Sequence, residues 1–157
     1  MALVLGMTAE LQLQTRGENQ VKNEINREPR RYGDELAVND FIAKYHNADH
    51  RGRSSRKYNC HGLSFASRRT SIEDPQEVLK ILSEDDYKEI PLEKVLPGDV
   101  AIYWADGVAD HSGIVIQLSQ NPRMARILGK WGFCHEVIHW TNDSPYSGEL
   151  KYYRVMS

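Results

Sequence analysis

The stretch LPGDVAIYWADGVADHSGIVIQL, residues 96–118, reads as two strands joined by a short polar loop. Pro97-Gly98-Asp99 punctuates the chain as a turn, and Val100 to Trp104 is rich in the β-branched and aromatic residues that suit a pleated, half-buried surface. The loop ADGVAD then leads into a second strand, HSGIVIQL, with His111 at its mouth. Working outward, ARILGKW (125–131), HEVIHW (135–140) and ELKYYRVM (149–156) supply a third, fourth and fifth strand. The preceding half is helical in pattern. DELAVNDFIAKYH (34–46) sets Leu36, Phe41, Ile42 and Tyr45 near one face, with Asp34 as the cap. A further helix starts at Asp74-Pro75 and carries Val78, Leu79, Ile81 and Leu82. Helices first and antiparallel strands afterwards is the α+β pattern.

Residues 1–33 are polar and mixed in sign, and are expected to form a loosely packed N-terminal arm with a short strand at ELQLQ (10–14). Residues 34–157 then make a single domain, which a chain of 157 residues is long enough to build around one core. A hydrophobic fraction of 40% with 27% charged residues is that of a globular protein. The net charge of −2 argues against a domain built chiefly to hold nucleic acid. The apolar opening MALVLGM is too short to span a membrane and lacks a basic leader segment, so the expectation is a cytoplasmic protein as encoded, with another export route left open. Two cysteines, Cys60 and Cys134, are too few for a disulfide scaffold, although a single bridge between them stays open.

The chemistry gathers around RKYNCHGLSFASRR (56–69), which places Cys60 directly before a helix-like run. A cysteine at a helix head meets unpaired backbone N–H groups and the positive end of the helix dipole. Both favour a thiolate, and the N–H groups also suit an oxyanion. Such a nucleophile needs an imidazole as its base, and a strand end such as that of His111 is rigid enough to aim one. The bland reading of a lone Cys and a lone His is structural.

Three motifs in this order change the balance: NCHGL with Cys60, LPGDVAIYW, and DHSGIVI with His111. Together they resemble the NlpC-type branch of the papain-like cysteine hydrolases, related to the CHAP-type amidases, over roughly residues 55 to 132. The order Cys before His disfavours the permuted acyltransferase relatives. The resemblance implies a papain-like core in which the Cys-bearing helix packs on an antiparallel sheet. It also implies cleavage of a peptide-type amide, in a peptidoglycan-like or isopeptide-like substrate, through a thioester on Cys60, with no metal or cofactor. A polar residue on the strand after His111 is expected to orient it. If that strand forms a hairpin with HSGIVIQL, Gly129, Lys130 and Trp131 fall there, so His135 is the nearest residue with suitable chemistry and Asp110 a weaker choice. Tyr58 and Asn59 stand where related domains help form the oxyanion hole, against packing and a plain helix cap as the bland readings. Trp104 and Trp131 are expected to wall the cleft.

Two other classes compete. In HNADH, His46 and His50 have the i, i+4 spacing of two metal ligands, but the segment falls where a helix is ending, and neither Cys-His dipeptide has zinc-site spacing. The alternative to an enzyme is a catalytically inactive papain-like domain acting as a binding module. The basic runs RGRSSRK and SRR, on either side of Cys60, read most simply as a solvated loop; the sharper reading is a basic rim that attracts an acidic substrate or a nucleic acid and helps hold the thiolate.

Overall fold

The five strands read from the sequence join two short ones in a single antiparallel sheet. The computed structural model describes residues 7–156, so the opening MALVLG lies outside the described residues. In chain order the elements are β1 (Thr8–Ala9), β2 (Ile25–Asn26), α1 (Tyr32–Lys44), β3 (Asp49–Arg51), α2 (Cys60–Ala66), α3 (Pro75–Glu84), β4 (Tyr87–Ile90), β5 (Val100–Ala105), β6 (Val108–Gln120), β7 (Arg123–Lys130), β8 (Glu136–Trp140) and β9 (Glu149–Val155). The seven-stranded sheet runs β3-β8-β7-β6-β5-β9-β4, and the three helices pack against it in an α+β fold.

The β5–β6 hairpin turns on Asp106 and Gly107, both at positive φ (51° and 77°), which is the geometry that an Asp-Gly pair adopts at low cost. Tyr103 pairs with His111 and Trp104 with Ala109, so Asp110 is an extra residue in β6. That bulge shifts the alternation by one. Ala109 therefore packs with Val78, Val100 and Ile102, while His111 lies beside the Tyr103 ring with centroids 5.7 Å apart. Ala101, Tyr103, Val115, Ile127 and Tyr152 form one buried cluster with Ile90 and Val95. A second cluster joins Val38 of α1 to Trp131, Cys134 and Val137.

Four sequence expectations need correction, one of them the strand at ELQLQ (10–14): β1 is Thr8–Ala9, and of that stretch only Gln14 makes a bridge, to Gln20. Asp34 is not the cap of α1 but sits three residues beyond Arg31, whose backbone N–H it accepts at 3.1 Å, and it also holds Arg56 through two bonds of 2.9 Å. The inward face of α1 is Val38, Phe41 and Tyr45, an i, i+3, i+7 stripe, whereas Leu36 and Ile42 are 46% and 42% exposed. Phe41 and Tyr45 meet Trp131 edge-on at 5.1 and 5.2 Å, contacts that add about 0.5–1.5 kcal/mol each beyond burial. The polar segment before α1 is stitched down rather than loose. Val21 is buried against Ala66, Ile72 and Ile81, and the Asn23 side-chain oxygen accepts from both the Leu11 N–H and the Thr70 hydroxyl.

Candidate active site

Cys60 is the first residue of α2, and the chain folds that way because Asn59 caps it. The Asn59 side-chain oxygen accepts from the Gly62 N–H at 2.9 Å and the Ile72 N–H at 3.0 Å, while its amide donates to the Ile72 carbonyl at 2.8 Å. The Asn59 carbonyl accepts from Leu63, which leaves the N–H groups of Cys60 and His61 as the free donors of the first turn. Gly62 is a packing requirement. A Cβ there would stand 1.8 Å from the Thr70 carbonyl oxygen, so only glycine lets the 70–72 segment run against the helix. Cys60 itself is 9% exposed, and both cysteines are free thiols.

His111 is wholly buried, and neither ring nitrogen makes a hydrogen bond. Burial holds its proton affinity below the ordinary imidazole value. Cys60 opposes this through its charge and through a side-chain hydrogen-bonding contact, while His139 and His61 add to the depression. Cys60 is thus among the groups that act on the ring, and no hydrogen bond is closed between them. Tyr146 lies flat on the imidazole, with centroids 3.6 Å apart and planes 3° from parallel, and fixes the ring's plane. Burial, reinforced by the Cys60 charge, pushes the Tyr146 phenol above its ordinary range, so that ring stays neutral. On the other side Gly129 leaves room: a Cβ there would fall 3.0 Å from His111 Nε2.

The remaining buried imidazoles divide into struts and a neighbour. His61 Nε2–H donates to the Ala109 carbonyl at 2.9 Å, so in the neutral ring favoured by burial Nδ1 accepts from the Ser112 hydroxyl at 2.8 Å. This pins α2 onto β6. His135, expected as the third catalytic member, instead makes a 2.7 Å bond to His50, whose other nitrogen donates to the Tyr45 carbonyl. Burial, with His50 and Lys130 nearby, lowers His135 to about 4, and it is not among the groups that act on His111. His139 is. Its Nδ1–H donates to the Trp140 carbonyl at 2.8 Å, leaving Nε2 buried without a partner. The sequence reading passed over His139; the alternation of β8, which sets His135, Val137 and His139 on one face, was the signal that could have raised it.

Tyr58 donates to the Glu136 carboxylate, which Arg68 also grips at 2.6 and 3.0 Å, and the phenol is raised by burial and by that carboxylate. The Lys130 ammonium sits 5.0 Å from the Tyr58 ring and donates to the carbonyls of Ser55 and Gly132 at 2.7 and 2.6 Å. Burial lowers Lys130 to about 8, and Cys134 and Cys60 oppose the fall. Trp131 is 1% exposed, enclosed by Phe41, Tyr45, His50, His135 and His139, so it is a core residue and walls no open cleft. Trp104 packs apart from it, on Tyr153 and the Val78 cluster. His50 belongs to β3 and its pairing with His135, and among the described residues no three potential ligands come together as a metal site. No helix among them is long and apolar enough to cross a membrane.

The structure thus sets Tyr146 and Gly129 against the His111 ring and Cys60 at the head of the helix that packs on the same strand, while Asn59, Tyr58 and Trp131 are committed to structural contacts. No family model matches the chain, and no curated protein or solved structure matches it either.

Proposed function

We propose that the chain is a cysteine amidase or peptidase with a papain-like, NlpC-type core, in which Cys60 is the nucleophile and His111 the base. The observation that carries this reading is the state of His111: a fully buried imidazole, neither nitrogen bonded, acted on by a thiol at a helix head. Buried polar atoms are normally paired, and one left bare calls for an explanation, of which a catalytic role is one. In acylation the Cys60 proton passes to His111 and Sγ bonds to the amide carbonyl carbon. The Cys60 and His61 N–H groups meet the oxyanion. Collapse breaks the C–N bond as His111 protonates the departing amine. Water then gives a proton to His111 and attacks the thioester, and the C–S bond breaks as that proton returns to sulfur. Tyr146 holds the ring plane, and His139 acts on His111 through charge alone, with no hydrogen bond between them. The substrate class is a peptide-type amide, of which cell-wall peptide is one.

The second reading, a silent papain-like domain that binds a partner, draws on the same burial: His111 exposes no surface, and a groove of about 830 Å³ elsewhere is lined by neither residue of the pair. Iodoacetamide alkylation of Cys60 across pH, with Cys134 replaced by Ser, separates the two. The amidase reading expects alkylation well below the free-thiol range of about pH 8.5, slowed at least about tenfold in His111→Ala protein that retains its circular dichroism. An inert thiol, or one indifferent to His111, assigns the chain to the binding class.

A further inference from the structure

The groove of about 830 Å³ runs between the segment entering α1 and the loop that leads to Cys60. Five basic side chains line it, Arg27, Arg30, Arg56, Lys57 and Arg69, against one acid, Glu28. This is a local excess, because the chain as a whole carries 20 basic and 22 acidic residues. Arg30 is paired with Glu35 at 3.7 Å, so the excess rests on the other cations. Glu28 is already held by Arg31 at 3.2 Å and Arg56 at 3.6 Å, and Arg56 is engaged by Asp34. Arg27, Lys57 and Arg69 form no ion pair among the described residues, and all three are exposed. A second hollow of about 480 Å³ shares Pro29 and Arg30 with the groove and adds Arg31, Arg53 and Glu35, so the cations continue past one end with one acid among them.

We propose that this groove is a binding site for an extended acidic polypeptide segment, separate from the Cys60–His111 pair and independent of its chemistry. Clustered like charges in a concavity focus the field and draw an oppositely charged chain to it. Between the cations the wall is aliphatic, with Leu11, Ile25 and Pro29, which suits the side chains of a peptide. A single-stranded nucleic acid site would interleave its cations with stacking rings. The groove has none, and the one aromatic of the neighbouring hollow is Tyr32. The volume falls within the range of about 300–1,000 Å³ usual for ligand sites.

The test is fluorescence anisotropy with a fluorescein-labelled alternating Glu–Leu octapeptide, using an alternating Lys–Leu octapeptide and an oligothymidylate of equal length as comparisons. The Cys60→Ala protein serves alongside wild type, so that loss of catalysis and loss of binding are read separately. Micromolar binding of the acidic peptide by both proteins is expected, weakening at least about fivefold between about 50 and 300 mM NaCl as the charges are screened. Arg27→Glu with Lys57→Glu should weaken it at least about tenfold, and adding Arg69→Glu should weaken it further. The double variant guards against misfolding, since the Arg69 side chain also bonds the Ala66 carbonyl at 3.3 Å. Binding indifferent to these changes, or tighter binding of the oligothymidylate or the Lys–Leu peptide, overturns the proposal.

Discussion

His111 depends on a residue that has no side chain. Gly129 stands beside it, and a methyl group there would fall 3.0 Å from Nε2, inside normal contact distance, with the Tyr146 ring stacked 3.6 Å away on the imidazole. The ring has little freedom to step aside, so Gly129→Ala should move it relative to Cys60. A misplacement on the order of 1 Å costs up to about a hundredfold in a positioned reaction. Alkylation of Cys60 in a Cys134→Ser background is therefore expected to slow at least about tenfold in Gly129→Ala, with the fold retained. An unchanged rate would mean that His111 does not act on the sulfur. The same geometry explains which part of the site was legible in the sequence. Cys60 could be singled out because it opens α2 behind the Asn59 cap, whereas His111 lies three residues inside β6, which starts at Val108 and not, as its sequence suggests, at His111. The buried His139 could not. Continuing the register from the Gly113–Gly129 pair sets Trp131 level with His111, and Trp131 in turn bonds through its N–H to the His135 carbonyl. Counting along strands therefore favours His135. The indole in fact lies against both His135 and His139, with ring centroids 6.2 and 5.6 Å away, and sequence spacing does not report how such a ring packs.

Among the elements, α2 is short, and its place is fixed from outside. Seven residues are too few to be stable as a helix alone. The cap at Asn59, the His61–Ser112 contact and the approach of Thr70 at Gly62 hold it on the sheet. Gly62→Ala would put a methyl 1.8 Å from a backbone oxygen, which cannot rotate away as a side chain would. Urea unfolding should show a loss of about 2–4 kcal/mol, large for a change of one methyl group. A change within about 0.5 kcal/mol would mean that the 70–72 segment yields easily and that α2 is not clamped. Strong patterns gave the strands β5 to β9 and the helix α3 directly. The edge strand β3, with the polar sequence Asp49-His50-Arg51, has no such pattern and exists because β8 pairs with it. The inner stripe of α1 was misjudged for a related reason. Several of its positions are apolar, and only the location of Trp131 decides that Val38 faces inward while Leu36 does not.

At the scale of the whole molecule, four imidazoles are buried, His61, His111, His135 and His139, and burial holds each below its ordinary value of 6.5, with His135 at about 4. In the unfolded chain they regain that ordinary value. Between it and their folded values the unfolded state therefore binds more protons, and stability must rise with pH across that window. Put the other way, folding stability is fully present above about pH 7 and is lost as the pH falls, by up to about 1.4 kcal/mol per unit for each group. Carboxylates do not blur the effect. Asp34, Glu84 and Glu136 are held below their ordinary values of 3.8 to 4.5, and so lose their stabilising share only further into acid. The urea midpoint should therefore drop steeply between about pH 6.5 and 5, well before acid denaturation by carboxylate protonation begins. His139→Gln, which removes one titrating group, should give a shallower slope even if it lowers stability overall. A midpoint flat across that range would mean that these rings are hydrated in solution. The closed dyad would then fail with them, since a His111 open to water has no reason to keep both nitrogens bare.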